Sequence, residues 1–443
     1  MNSALCKNLS RARPPLHPGF LLDAWTAAAR LPTAMSTTAP TAPTAPQKIN
    51  LRRPDIMTAV QALVLSHYRS ELVDRIRARG HVLCADGLTV KLAKEFGFCY
   101  GVERAIDLAY AARKAFPKQP IYILGEIIHN PEVNDQIRAM GIQFLSGKEK
   151  EADIDDLHAG DVVIIPAFGT DVATRKQLEA KGCLFVDTTC GDVMSVWKRV
   201  RQYARETVTS IIHGKAWHEE TKATSSQATA TGGHYLVVFT LAETDYVCDY
   251  IVQGGNKPEF LEKFKGAYSP GFDPDLHLKV IGVANQTTML RGETEEVQRR
   301  LKQAMARKYG EVALDQHFRF FDTICGATQD RQDALQKLLH EPMALLLVIG
   351  GYNSSNTSHL AEMGEAKLPT YFIKNAAKIV SEKMILHYDQ HLQREAETPD
   401  WLPSGNITVG ITAGASCPNN LIEDTIRRLF ELRGVSVQDL LAS

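Results

Sequence analysis

From about Asp55 onward the apolar positions fall into a helical rhythm, with Ala59, Leu63, Leu72, Val73 and Ile76 spaced to share inner faces between charged residues. These positions are expected to pack on a first domain. Further on, short β-rich apolar runs alternate with amphipathic stretches. The runs predict strands at 121–124, 162–165, 210–212, 235–239, 280–283, 345–349, 371–373 and 407–411. The stretches predict helices at 102–116, 193–205, 330–339, 358–366 and 421–432. This alternation points to α/β domains with largely parallel sheets, in which ligands gather beyond the carboxyl ends of the strands.

Before Asp55 the rhythm is absent. Asp23 is the only acid there, whereas Arg11, Arg13, Arg30, Arg52 and Arg53 are basic, and residues 38–46 repeat Thr-Ala-Pro. Residues 1–54 are therefore expected to form a disordered extension, too poor in large apolar groups to build a core. An acid-poor, Arg-bearing leader fits an organelle transit peptide, which would place the protein in a plastid stroma. It fits equally an extension of a cytoplasmic bacterial protein, or a misread start with Met35 as initiator.

The chain has 443 residues, enough for two or three domains, and carries 50 basic against 51 acidic side chains. That balance leaves no field to attract nucleic acid. No apolar run reaches the length of a membrane span. The 8 cysteines are scattered singly with no CxxC pair, unlike a secreted disulfide scaffold.

Three of those cysteines share a setting: Gly97-Phe98-Cys99-Tyr100-Gly101, Thr188-Thr189-Cys190-Gly191 and Thr323-Ile324-Cys325-Gly326. Each stands where a run passes into a helix, and a helix N-terminus favours the thiolate that iron requires. One per third of the folded chain suggests three domains, 55–190, 191–324 and 325–443, converging on one metal centre. Three ligands rather than four would leave one iron open to a substrate oxygen. On spacing alone, three unrelated core cysteines compete with this reading. Cys6, Cys84, Cys183, Cys248 and Cys417 lack the setting and are expected to be structural or incidental.

Polar groups cluster at predicted strand ends. His129 lies in Gly125-Glu126-Ile127-Ile128-His129-Asn130-Pro131, and His218 and Glu220 in His213-Gly214-Lys215-Ala216-Trp217-His218-Glu219-Glu220. A carboxyl beside an imidazole can deliver a proton to a leaving hydroxyl. Asn285-Gln286-Thr287-Thr288 supplies two adjacent hydroxyls, for which helix capping is the plainer explanation. Gly350-Gly351-Tyr352-Asn353-Ser354-Ser355-Asn356 and Thr412-Ala413-Gly414-Ala415-Ser416 would cradle a phosphate, although each alone could be only a cap. Neither has a Walker lysine, so a nucleotide P-loop is excluded.

In order, these segments resemble the 4-hydroxy-3-methylbut-2-enyl diphosphate reductase family of the non-mevalonate isoprenoid pathway, over roughly residues 68–432. The resemblance implies three similar α/β domains with mainly parallel sheets, in pseudo-threefold arrangement around one 4Fe–4S cluster per chain. It makes Cys99, Cys190 and Cys325 the metal ligands and His129 and His218 substrate-binding residues. Glu220 becomes the proton relay, with Thr287 and Thr288 matching a QTT motif whose second threonine helps position the hydroxyl. Ser354, Ser355, Asn356 and Ser416 become diphosphate contacts. The implied partners are a small allylic diphosphate and an external electron donor such as ferredoxin or flavodoxin, because no dinucleotide fingerprint is present.

One departure stands out. Ala167-Phe168-Gly169 replaces the Ala-His-Gly of many bacterial members, so one diphosphate contact is missing or supplied elsewhere. That Phe and the HGK-x-x-HEET wording resemble the plastid and cyanobacterial branch. A 4Fe–4S hydro-lyase, which needs no electrons, and a redox sensor, which needs no proton relay, are the rival classes.

Overall fold

The computed structural model describes residues 51–148, 150–321 and 323–436. The leader through residue 50, with Cys6 and Met35, lies outside them, as does Asp322.

Three parallel sheets organise the described residues. The first holds Ile121–Ile123, Ile142–Phe144, Val162–Ile165 and Leu184–Asp187. The second holds Thr209–His213, Tyr235–Val238, Ile281–Asn285 and Phe318–Phe320. The third holds Leu88–Leu92, Leu345–Ile349, Thr370–Ile373 and Ile407–Ala413, with Val82–Ala85 added antiparallel at its edge. All three repeat one spatial order: Ile121–Ile123 pairs with Ile142–Phe144, Thr209–His213 with Tyr235–Val238 and Leu345–Ile349 with Thr370–Ile373, and the strand that precedes the cysteine closes each parallel set on the other side. Central strands such as Val162–Ile165 and Leu345–Ile349 are buried at every position. Helices cover both faces, so these strands read as unbroken apolar runs. The α/β reading with mainly parallel sheets therefore holds, and the predicted runs end within a few residues of the observed elements.

The domain boundaries need one correction. Leu88–Leu92, expected in the first domain, pairs in parallel with Ile407–Ala413 of the third sheet. Leu72 and Ile76 pack there too, in one core with Leu88, Leu347 and Ile411. A half-buried alternating strand needs a neighbour in register, and no local pattern reveals which distant strand supplies it. Leu63 is exposed rather than packed. The helix Pro54–Tyr68 contributes Val60 and Tyr68 to the first-sheet core, and Leu51, placed in the extension by sequence, is buried beside them.

A small antiparallel sheet, Ile379–Ser381, Met384–Asp389 and Arg394–Pro399, is inserted between two strands of the third sheet. No helix among the described residues is long and apolar enough to cross a membrane.

Candidate active site and metal centre

The three cysteines occupy equivalent places. Each follows the flanking strand of one sheet and is the N-cap of a helix: Cys99 for Tyr100–Ala115, Cys190 for Gly191–Arg205, Cys325 for Gly326–Leu338. Each helix then packs on the next sheet. Val102, Ala105 and Ile106 join the first-sheet core, Val196 and Val200 pack with Ala284 of the second, and Leu335 and Leu338 pack with Leu346 and Val348 of the third. The cysteines are thus the hinges of a closed cycle. Their amides are pinned equivalently, Cys99 to Ala415 O (3.2 Å), Cys190 to Ala167 O (2.8 Å) and Cys325 to Thr287 O (3.3 Å). Every acceptor lies just past the strand adjacent to the cysteine's own.

The sulfurs face a common space. A Cβ on Gly101 would stand 2.7 Å from Cys190 Sγ and 3.9 Å from Cys99 Sγ, so only glycine leaves that space open. Cysteine is a poor cap, and none of the three makes a side-chain capping bond to its own helix. Burial raises the Cys190 thiol and pushes the Cys325 thiol up to about 12, with the field of Cys99 adding to both. The three sulfurs converge, and burial holds two of them in the thiol form.

Beside them lies a polar pocket built from three more helix N-termini. His129 precedes Asn130, the cap of Pro131–Ala139; His218 caps Glu219–Ala230; Ser354 caps Ser355–Glu365. The rings of His129 and His218 meet edge to face at 5.0 Å. His129 Nδ1 sits 2.8 Å from Glu126 Oε2, which also accepts from Asn353 Nδ2 at 2.7 Å. His218 Nδ1 accepts the Glu220 amide at 3.2 Å, so its proton is on Nε2. Burial and the fields of His129 and nearby lysines hold His218 well below the usual histidine range, hence neutral.

Ser416 Oγ bridges His129 O (3.1 Å) and Ser354 Oγ (3.4 Å), and Asn356 Oδ1 accepts the Ala415 amide at 2.9 Å. Four groups here are buried without a partner: His129 Nε2, His218 Nε2, Ser355 Oγ and Asn356 Nδ2. Each would cost about 1–3 kcal/mol left unsatisfied, so together they indicate a polar ligand. Nitrogens of His129 and His218 and a carboxylate oxygen of exposed Glu219 also lie within 4.8 Å of one another, a spacing a cation could use. The N–H on His218 Nε2 argues for an anion instead.

Glu220 is 3 % exposed. Its Oε1 accepts from the Thr287 amide at 2.6 Å and its Oε2 from Thr287 Oγ1 at 2.9 Å. Burial pushes its carboxyl up to about 7, against those hydrogen bonds. A group poised there can hold and release a proton near neutrality.

The sequence model of the LytB protein family matches residues 90–430. The chain belongs to the LytB family. A LytB relative from Gloeobacter violaceus, named 4-hydroxy-3-methylbut-2-enyl diphosphate reductase, is 49% identical over 381 residues, covering 85% of this chain and 90% of its own. A Synechococcus protein of the same name is 48% identical over 377 residues, covering 85% and 94%. The structure of the E-1-hydroxy-2-methyl-but-2-enyl-4-diphosphate reductase from Plasmodium falciparum, 23% identical, superposes with a TM-score of 0.56 over 76% of this chain and 86% of that one. It shares the fold.

Within this LytB chain, the structure brings the sequence-derived site residues into one region. Thr288, expected to help position the hydroxyl, accepts from Gln286 Nε2 at 2.8 Å, and Thr287 is the one that donates to Glu220. Phe168, the departure, stacks flat on His129 at 4.7 Å and 8°. Glu126 and Asn353, which hold His129, were not singled out by sequence. Their signal was proximity alone, since Glu126 is three residues from His129 and Asn353 opens the NSSN loop. Soft thiolate donors around a space that Gly101 keeps clear fit an iron–sulfur centre.

Proposed function

We propose that this chain reduces 4-hydroxy-3-methylbut-2-enyl diphosphate to isopentenyl and dimethylallyl diphosphates, the last step of the non-mevalonate route to isoprenoid precursors, with one 4Fe–4S cluster held by Cys99, Cys190 and Cys325. The observation carrying this reading is the adjacency of converging sulfurs, a buried carboxyl poised near neutrality and a ring of unpartnered anion-binding donors. In balance, the C–O bond to the hydroxyl breaks and water leaves, while two electrons and two protons enter. The electrons come from an external one-electron donor such as a ferredoxin or flavodoxin. Bound, the cluster supplies one-electron transfer and an open Lewis-acid position.

The chain's own residues do the rest. His218, Ser355 and Asn356 donate to the diphosphate, and His129, held by Glu126, stands beside them, with Ser354 and Ser416 fixing the loops that carry these groups and the N-termini of three helices adding their dipoles. Glu220, oriented by Thr287, passes a proton towards the departing hydroxyl, and Thr288 and Gln286 line the same path. Burial of these groups excludes bulk water from the allylic fragment.

The test is anaerobic reconstitution with iron and sulfide, followed by iron analysis and turnover with a reduced donor. About four irons per chain are expected, the nuclearity of such a cluster, and electrons should be consumed with each turnover. Cys99→Ser, Cys190→Ser and Cys325→Ser should each abolish stable loading, whereas Cys84→Ser, at an exposed site, should not. Full loading in the three ligand variants, or turnover without electron consumption, would overturn the proposal.

A further inference from the structure

Arg331 lies on the helix that Cys325 caps and is 4 % exposed. Its guanidinium is spent on backbone carbonyls. Nε and Nη2 donate to Gly97 O at 3.2 and 2.5 Å, and Nη1 donates to Ala327 O at 2.8 Å. Gly97 stands two residues before Cys99, and Ala327 two residues after Cys325. One side chain therefore ties the loop of one metal ligand to the helix of another, across a sequence separation of 234 residues.

Among the described residues no carboxylate forms a salt bridge with this cation. A buried charge without an ionic partner is costly, which is why interiors pair their charges. Burial works against the charge of Arg331, and the strongest opposing field is that of Cys99, followed by Glu95, Cys325 and Asp330. Glu95 and Asp330 are exposed and therefore screened by solvent. Both segments that the guanidinium ties together carry a cysteine, Gly97 two residues before Cys99 and Ala327 two after Cys325.

The geometry points to Arg331 as the counter-charge of the metal centre: a positioning residue that clamps the Cys99 loop to the Cys325 helix and favours the reduced, more negative state of the bound cluster. This inference rests on the reading that the three cysteines hold an iron–sulfur cluster. One electron entering from the donor adds one negative charge to a centre already bearing three thiolates. A fixed cation at the ligand loops stabilises that added charge more than the oxidised state, and the low dielectric of a buried site strengthens the effect.

The test is an anaerobic redox titration of the loaded enzyme with dithionite and mediators, followed by electron paramagnetic resonance, beside iron analysis of each variant. Arg331→Met and Arg331→Gln should shift the midpoint to more negative values than wild type, and Arg331→Lys should stay closer to it. A wild-type midpoint in loaded Arg331→Met would overturn the inference. Should the Met and Gln variants lose iron, Arg331→Lys decides. Recovery of loading with the charge supports the counter-charge role, and loading no better than Met leaves only a geometric clamp and overturns it. Wild-type protein that binds no iron would sink the cluster reading itself, whereas a loaded wild type with indifferent variants sinks this inference alone.

Discussion

At the scale of single residues, chemistry written in the side chain was legible and chemistry made by a neighbour was not. Cys99, Cys190, Cys325, His218 and Glu220 announce themselves by type and by position at a helix start. The division of labour between Thr287 and Thr288 does not, because adjacent hydroxyls look alike until one is seen 2.9 Å from Glu220. Glu220→Gln, which keeps the shape but cannot release a proton, should lower turnover by about 10²–10⁴-fold with iron content unchanged. Wild-type turnover in that variant would place the proton source elsewhere. The sign of the pH effect follows from an acid raised by burial to about 7, with His129 and Asp192 as the charged groups acting on it. Protonated Glu220 is the form the fold prefers, so its contribution to stability is full at low pH and is lost as pH rises through about 7. Turnover should fall over the same window, and Glu220→Gln should lack that limb. Thr287→Val should cost more turnover than Thr288→Val, and the reverse order would restore the sequence-derived assignment. Phe168 belongs at this scale too. It provides a flat surface against His129 in place of a hydrogen bond, and such ring pairs contribute about 0.5–1.5 kcal/mol. Phe168→Leu should therefore raise KM for the diphosphate by about two- to tenfold with little change in kcat, as steady-state kinetics would read.

At the scale of elements, strands buried on both faces were legible because they are continuous apolar runs, as in Leu345–Ile349. The short strands that deliver the cysteines, Leu184–Asp187 and Phe318–Phe320, were not, because each is only partly buried. The inserted antiparallel sheet also escaped notice, yet it touches the loop at 350–356 that is proposed to hold the diphosphate. Tyr352, just before Asn353, stacks on Tyr388 at 4.6 Å and donates to Glu395 Oε1 at 3.0 Å, and Glu395 is in turn held by Lys378 at 2.5 Å. Gln390 Nε2 reaches Ser358 O at 3.2 Å. The loop needs this support because its own geometry is tight. A Cβ on Gly351 would stand 2.4 Å from His129 O, so a small shift of the loop disturbs the histidine as well. Tyr388→Ala removes the stack without touching any donor, and KM for the diphosphate should rise several-fold, on the order of a lost aromatic pair, while iron loading stays at the wild-type level. An unchanged KM would make the insertion irrelevant to substrate binding.

At the scale of the whole molecule, the fold is a cycle in which each cysteine leaves one sheet and starts the helix of the next, so the N-terminal segment completes the ring rather than decorating it. Its path could not be read locally: Pro54–Tyr68 lies on the first unit, whereas Glu71–Ala78 and Leu88–Leu92 belong to the third. The hinge between them is Tyr68, which is buried, packs on Phe98 at 5.5 Å and accepts from Tyr110 Oη at 3.2 Å. Phe98 is the residue next to Cys99, so the first helix reaches the Cys99 loop through two rings. A chain beginning at residue 48 retains Leu51, Val60 and Tyr68 and should match full length in iron content, thermal midpoint and turnover. One beginning at residue 70 loses all three from the first-sheet core. Emptying a core of such groups costs about 2–5 kcal/mol for each large side chain. The shorter chain should therefore melt well below full length and load iron poorly, because the Cys99 loop has lost its packing. A melting curve and iron content equal to full length would show that the ring closes without its first helix.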